Sequence, residues 1–158
     1  MGARRGFASV CLAWAVASPA AAQPWQPRDL EPPPDLPAAT GLTRADEAAM
    51  RALIGAQIEA MRAGDWSRAF ALASPDLQAQ YGTPVALRDD VAARYHPLPA
   101  VADVSFVDIV TFHGLPTYRV ILTDADGRTT LAYYLVRRLA DGSSRIAGCV
   151  LVHVAPSS

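Results

Sequence analysis

Lysine is absent from the 158-residue chain, and 14 arginines supply every positive charge against 15 carboxylates. With a formal net charge of −1 and no basic block, nothing electrostatic points to nucleic acid or an anionic lipid surface as a partner. No serine sits in a Gly-x-Ser-x-Gly context and no glycine-rich phosphate loop occurs, so hydrolase and nucleotide-binding readings lack a motif. His96, His113 and His153 stand apart, without a His-x-His or His-Glu-x-x-His spacing, so neither a metal nor another cofactor is expected. Asp124-x-Asp126-Gly127 echoes the start of a calcium loop but lacks the third ligand and the distant glutamate, and a hairpin turn explains it better. Long apolar runs are missing too. The run at residues 7–17 is too short to cross a hydrocarbon core of ~30 Å, which takes about 20 helical residues.

That short run has a different reading. Arg4-Arg5 precedes it and Ser18-Pro19-Ala20-Ala21-Ala22-Gln23 follows it, which is the charged, apolar and small-residue order of a secretory signal. Residues 1–22 are therefore expected to be a signal peptide cleaved after Ala22, leaving a periplasmic or secreted protein without a stable membrane anchor. Cys11 lies in the middle of the apolar run, not at its end, which argues against lipidation. Losing Arg4 and Arg5 leaves 12 arginines and a net charge of −3. Cys149 then has no intramolecular partner, and its apolar strand context reads as a small buried hydrophobe with nothing adjacent to lower its pKa.

Residues 23–42 hold Pro24, Pro27, Pro32, Pro33, Pro34 and Pro37 and read as an extended polyproline linker. Residues 43–155 form one domain of ordinary size, and 51% apolar with 18% charged residues fits a globular chain. Thr43 with Asp46 makes a capping-box pattern ahead of Met50, Leu53, Ile54, Ile58 and Met61, which recur at helical spacing. Gly64 stops that helix and Asp65 caps a second one carrying Trp66 and Phe70. Ser74-Pro75 and Thr83-Pro84 each place a capping hydroxyl before a proline, predicting helices over 76–81 and 85–95. After Ala100 the rhythm becomes strand-like, with strands expected at 101–112, 117–123, 128–138 and 145–154. Their turn-rich connections are short, so an antiparallel meander follows. Helices first and a curved antiparallel sheet second is an α+β layout, with the helices on one face of the sheet.

The stretch from Gln57 to Phe70, the Phe70-Ala-Leu-Ala-Ser-Pro75 junction, Tyr95-His-Pro97 and the closing Arg145-Ile146-Ala-Gly148-Cys149 resemble an exported bacterial family, domain of unknown function 4864. Where that family favours a tryptophan before the Arg-Ile pair, this chain has Ser144. The resemblance covers about Thr43 to Val154. It implies a nuclear transport factor 2-like cone, the fold shared with ketosteroid isomerases and polyketide cyclases, and it implies no established activity.

Regular alternation places Ile146, Gly148, Val150, Val152 and Val154 on one apolar face of the last strand, and Tyr118, Val120 and Leu122 on one face of the second. In the first strand Val104, Phe106, Val110 and Phe112 form such a face, which Asp108 interrupts. A regular pleat would aim the Asp108 carboxylate between sheet and helices. Asp108, Tyr118 and one of Tyr133 or Tyr134 then form the candidate pocket cluster, by analogy with isomerases in which an aspartate moves a proton and a tyrosine stabilises an enolate. The competing reading is that a β-bulge turns Asp108 to solvent or that Arg119 pairs with it. On the third strand Leu131, Tyr133 and Leu135 alternate with Ala132, Tyr134 and Val136, so both faces are apolar. The face turned from the helices suits sheet-to-sheet homodimerisation, with cover by the C-terminal tail or the proline leader as the alternative. The leading functional reading is a non-catalytic module that binds a small apolar molecule or a protein partner. The alternatives are a cofactor-independent isomerase, cyclase or lyase using Asp108 and a tyrosine, and an adaptor whose cone is filled by its own side chains.

Overall fold

The computed structural model describes residues 35–94 and 98–153. The segment read as a signal peptide, the proline-rich stretch up to Pro34, the Tyr95-His96-Pro97 motif and Val154 lie outside the described residues. Helix α1 spans Arg44–Arg62, and its first turn is closed by the expected capping box. The Thr43 hydroxyl accepts from the Asp46 amide at 3.1 Å, and the Asp46 carboxylate accepts from the Thr43 amide at 2.9 Å. Met50, Ile54, Ile58 and Met61 form its buried stripe. Asp65 caps α2 (Trp66–Ala71), Ser74 caps α3 (Pro75–Tyr81), and α4 spans Pro84–Arg94 with the Thr83 hydroxyl accepting from Ala86. The proline in the first turn of α3 and of α4 removes only an amide that would have had no helical partner.

Strands β1 (Val101–Phe112), β2 (Leu115–Asp124), β3 (Thr129–Arg138) and β4 (Ser144–His153) follow, each pairing antiparallel with the next in the order β1-β2-β3-β4. The first hairpin is tighter than its sequence suggests. Leu115 and Pro116 pair with Phe112 and Thr111, leaving a two-residue loop. His113 and Gly114 both have positive φ, 49° and 72°, which is the primed-turn geometry that matches strand twist. The helical layer is tied to the sheet between α2 and α3: the Ser74 amide donates to the Ile146 carbonyl at 2.7 Å, and the Ile146 amide donates to Leu72 at 3.0 Å. This bridge satisfies backbone groups at the β4 edge.

Alternation fails in the two outer strands, and the failures decide which residues meet the helices. β1 spends 12 residues against the 10 of β2, and its register slips at Ala102 and again at Val107. Val107 is the extra residue and is 49% exposed. Beyond it Ile109 joins Val104 and Phe106 against the helices, while Asp108, Val110 and Phe112 move to the opposite face. In β4 the slip falls at Ala147, so Ile146, Cys149 and Leu151 meet the helical core while Ala147, Val150 and Val152 lie on the outer face. The single apolar faces read from regular alternation in these two strands are therefore each divided by a bulge. β2 and β3 alternate as expected.

The inner core joins Met50, Ile54, Ile58 and Met61 to Tyr118, Val120, Leu122, Ala132, Tyr134, Val136 and Ile146. A second cluster on the outer face comprises Phe112, Tyr133, Leu135 and Val150, with Leu36 packed against it from the proline-rich leader. Leader residues also extend the sheet edge: Ala38 bridges Val110 antiparallel, the Ala39 amide donates to Ile109 at 2.9 Å, and Thr111 donates to Pro37 at 2.8 Å. Ile54 is fully enclosed. Ile54→Ala should lower unfolding free energy by about 2–5 kcal/mol, the range for a large-to-small core deletion. A shift in the urea midpoint without a change in slope measures it.

Candidate functional site

The bulge at Val107 separates the four candidate residues into two pairs. Tyr118 and Tyr134 are cross-strand partners on the helix-facing side, both fully buried. Asp108, with Tyr133 as a neighbour through Arg119, lies on the outer side. The aspartate and the inner tyrosines lie on opposite faces of the sheet. Arg119 is paired with Asp108 in register, and its guanidinium grips both carboxylate oxygens. The Asp108 side chain is 45% exposed. The hydrogen bonds from Arg119 hold its carboxyl below the usual range despite partial burial, a direction that makes it a weaker base. The Arg119 pKa rises in turn.

Tyr118 has a different environment from an oxyanion donor's. Its hydroxyl donates to Glu47 Oε1 at 2.9 Å, and the Arg51 guanidinium lies 5.4 Å from its ring centroid and 5.0 Å from that of Phe106. Arg51 also donates to Glu47 at 3.0 Å. The Glu47 carboxyl is lowered first by the Tyr118 hydroxyl and then by Arg51, whereas burial, aided by Glu47, raises the phenol. The only sequence trace of this cluster is the four-residue spacing of Glu47 and Arg51 on one helix face. Its link to a strand seventy residues away has none. On the same face Tyr134 pairs with Cys149, and burial pushes the thiol up to about 12, with the Tyr134 hydroxyl acting in the opposite sense. Such a thiol is almost wholly protonated at neutral pH and is a poor nucleophile.

Open space lies instead beside α3. A groove of about 530 Å³ is lined by Leu77 and Gln80 of α3, His113 and Leu115 at the first hairpin, and Leu135 and Ala147 of the outer face. Arg137, ion-paired with Asp76, stands at the same groove. Sequence reading missed it because α3 and the hairpin are far apart in the chain, and because Leu115 and Ala147 take their places only through the tight turn and the β4 bulge. Asp124 acts as a turn residue: its Oδ1 accepts from the Asp126 and Arg128 amides, both at 2.9 Å. Among the described residues no group of three His, Cys, Asp or Glu side chains is placed to hold a metal ion, and no helix is long and apolar enough to cross a membrane.

These features define a small α+β domain with a packed helix–sheet interior and a polar-rimmed groove on its flank. The chain belongs to the family described as domain of unknown function 4864, whose model matches residues 43–158. No curated protein and no solved structure matches it.

Two outcomes follow from this geometry. Asp108→Asn should cost no more than about 1 kcal/mol at neutral pH, since the ion pair is substantially solvated. Because the folded carboxyl is lowered below its ordinary 3.8, the pair's contribution is present above that value. The difference between variant and wild type should fade in pH-dependent melts as pH falls through the lowered folded value. For Cys149, whose folded thiol lies above its ordinary 9.0, a disulfide reagent at pH 8 should react slowly in native protein and rapidly after denaturation.

Proposed function

We propose that this chain is an exported, non-catalytic binding module of the nuclear transport factor 2-like cone type, which takes a small apolar molecule or a segment of a protein partner in the groove beside α3. The observation that carries this reading is the inversion of empty and filled space. Ile54, Tyr118, Val120, Leu122, Tyr134 and Ile146 fill the volume between helices and sheet, each at most 1% exposed, while the groove on the flank is open. Its volume falls in the ordinary range for small-ligand sites, and its apolar floor with a few polar groups at the edge is the usual composition of such sites.

An isomerase or cyclase needs a carboxylate facing a tyrosine hydroxyl across a substrate-sized cavity. Here the carboxylate is held in an ion pair on the outer face and the inner tyrosines are packed, which favours binding over proton transfer. Export rests on the charged, apolar and Ala-x-Ala order of residues 1–22, and the cone assignment on helices preceding a bulged antiparallel meander.

Native mass spectrometry of the protein purified from the periplasm of its producing cell tests the reading. The expected result is an N-terminus at Gln23 and a retained non-covalent mass that is lost when the groove is filled by Ala147→Trp. An unprocessed chain confined to the cytoplasm would end the export proposal. A bare mass, with no thermal stabilisation by any of a panel of apolar ligands, would end the binding proposal.

A further inference from the structure

We propose that the groove beside α3 selects an apolar molecule that carries one carboxylate, with the acid held at the rim by Arg137 and Arg145 and the hydrocarbon laid over Leu77, Leu115, Leu135 and Ala147. The inference rests on the binding reading for there being a ligand, and on the charge pattern at this end of the sheet for its chemistry.

Arg137 of β3 and Arg145 of β4 stand directly opposite each other in the strand register. Their neighbours Val136 and Ile146 face the helical core, so alternation puts both arginines on the outer face, where Arg137 lines the groove with Leu135 and Ala147. Like charges opposed across a strand pair repel each other. Asp76 relieves this only in part, because it takes Arg137 through a single guanidinium nitrogen and makes no contact of that kind with Arg145. Arg145 turns back to the Ser144 carbonyl at 2.9 Å, and among the described residues it forms no ion pair. Asp141 is committed elsewhere: its Oδ1 accepts from the Ser143 hydroxyl at 2.6 Å and the Ser143 amide at 2.8 Å. The Asp141 carboxyl is lowered first by that hydroxyl, then by that amide, and less by Arg145. Arg138 serves the other side of the sheet, donating to Asp46 of α1 at 3.2 Å. Two outer arginines therefore share one carboxylate, and the rim is complementary to a second.

Asp76 also shows which anion the rim accepts, since a carboxylate already sits against Arg137 at the groove. The planar fork of a guanidinium matches a carboxylate with two parallel hydrogen bonds, and the Asp76 contact leaves most of that fork unused. The Asp76 side chain is 74% exposed and that of Arg137 45%, so the existing pair is well solvated and exchanging one carboxylate for another costs little. Below the rim the lining is apolar: Leu77 comes from α3, Leu115 from the first hairpin, and Leu135 and Ala147 from the outer face. A wholly apolar ligand would leave the two arginines uncompensated. A cationic ligand would meet both of them against one carboxylate. The groove thus pairs an anion-seeking rim with a hydrocarbon floor, which is the complement of an amphipathic acid.

Decanoate, decanol and decylamine share a chain length and differ in the head, and each is titrated below its micellar concentration into the purified chain by calorimetry. Decanoate should bind tightest, about three- to tenfold over decanol, the step that a solvated charge-assisted contact supplies. Arg137→Gln should remove that advantage and leave decanol binding unchanged. Asp76→Asn should act in the opposite sense, tightening decanoate several-fold by deleting the competing carboxylate; an ion pair that served stability alone would give both variants the same effect on both probes. If circular dichroism shows Arg137→Gln to be misfolded, Arg145→Gln tests the same rim. Ala147→Trp should weaken decanoate and decanol alike. Equal affinity for decanoate and decanol, or a preference for decylamine, overturns the acid assignment and leaves the binding reading standing. Failure of all three probes to bind overturns it as well; a bare native mass then removes the binding reading too, whereas a retained ligand leaves that reading in place.

Discussion

The pleat of β2 holds Tyr118, Val120 and Leu122 against the apolar stripe of α1, and the strands beside it must match that face or bulge. β3 matches, residue for residue. β1 and β4 do not, and each absorbs its mismatch through extra residues at Ala102, Val107 and Ala147. The result is an inner face that keeps Asp108 out and an outer face that receives the displaced residues. The space between α1 and the sheet is occupied by these side chains, and the open groove lies on the flank beside α3.

The same register settles the electrostatics. Asp108 would be costly against the inner core, where desolvation opposes a carboxylate. One residue of slippage gives it Arg119 as a cross-strand partner and contact with water instead. Two polar groups that reach this interior have partners: the Tyr118 hydroxyl donates to Glu47, and the buried amide of Gln57 donates to the Ala69 carbonyl at 3.4 Å. Cys149 is held as a protonated thiol in this environment. The shifts of Glu47, Asp108 and Cys149 each favour the protonation state that the group already has at neutral pH.

The leader belongs to this architecture from Leu36 onward. Its backbone bonds to Ile109 and Thr111 cap part of the β1 edge, while the bridge between Ser74 and Ile146 caps part of the β4 edge at the other side of the sheet. An open four-stranded sheet exposes two templates for unwanted pairing, and here each is partly occupied by the chain itself. Groove, hairpin and leader meet at one corner of the outer face, where Leu36 packs on the cluster that includes the groove residues Leu115, Leu135 and Ala147.

The helix caps were legible in the residues. Thr43 with Asp46, Asp65, and the Ser74-Pro75 and Thr83-Pro84 pairs announce four helix starts because a cap involves only neighbours within one turn. The change from helical to strand rhythm after Ala100 announces the meander, since periodicity follows from which side is buried. What the sequence by itself determined was therefore the order and type of the elements and the two-faced character of β2 and β3. Tertiary structure alone decided the faces of β1 and β4, the separation of Asp108 from Tyr118 and Tyr134, and the groove beside α3. A bulge is a one-residue slip that satisfies a neighbour's register, and its position depends on contacts across strands rather than on the residues that slip.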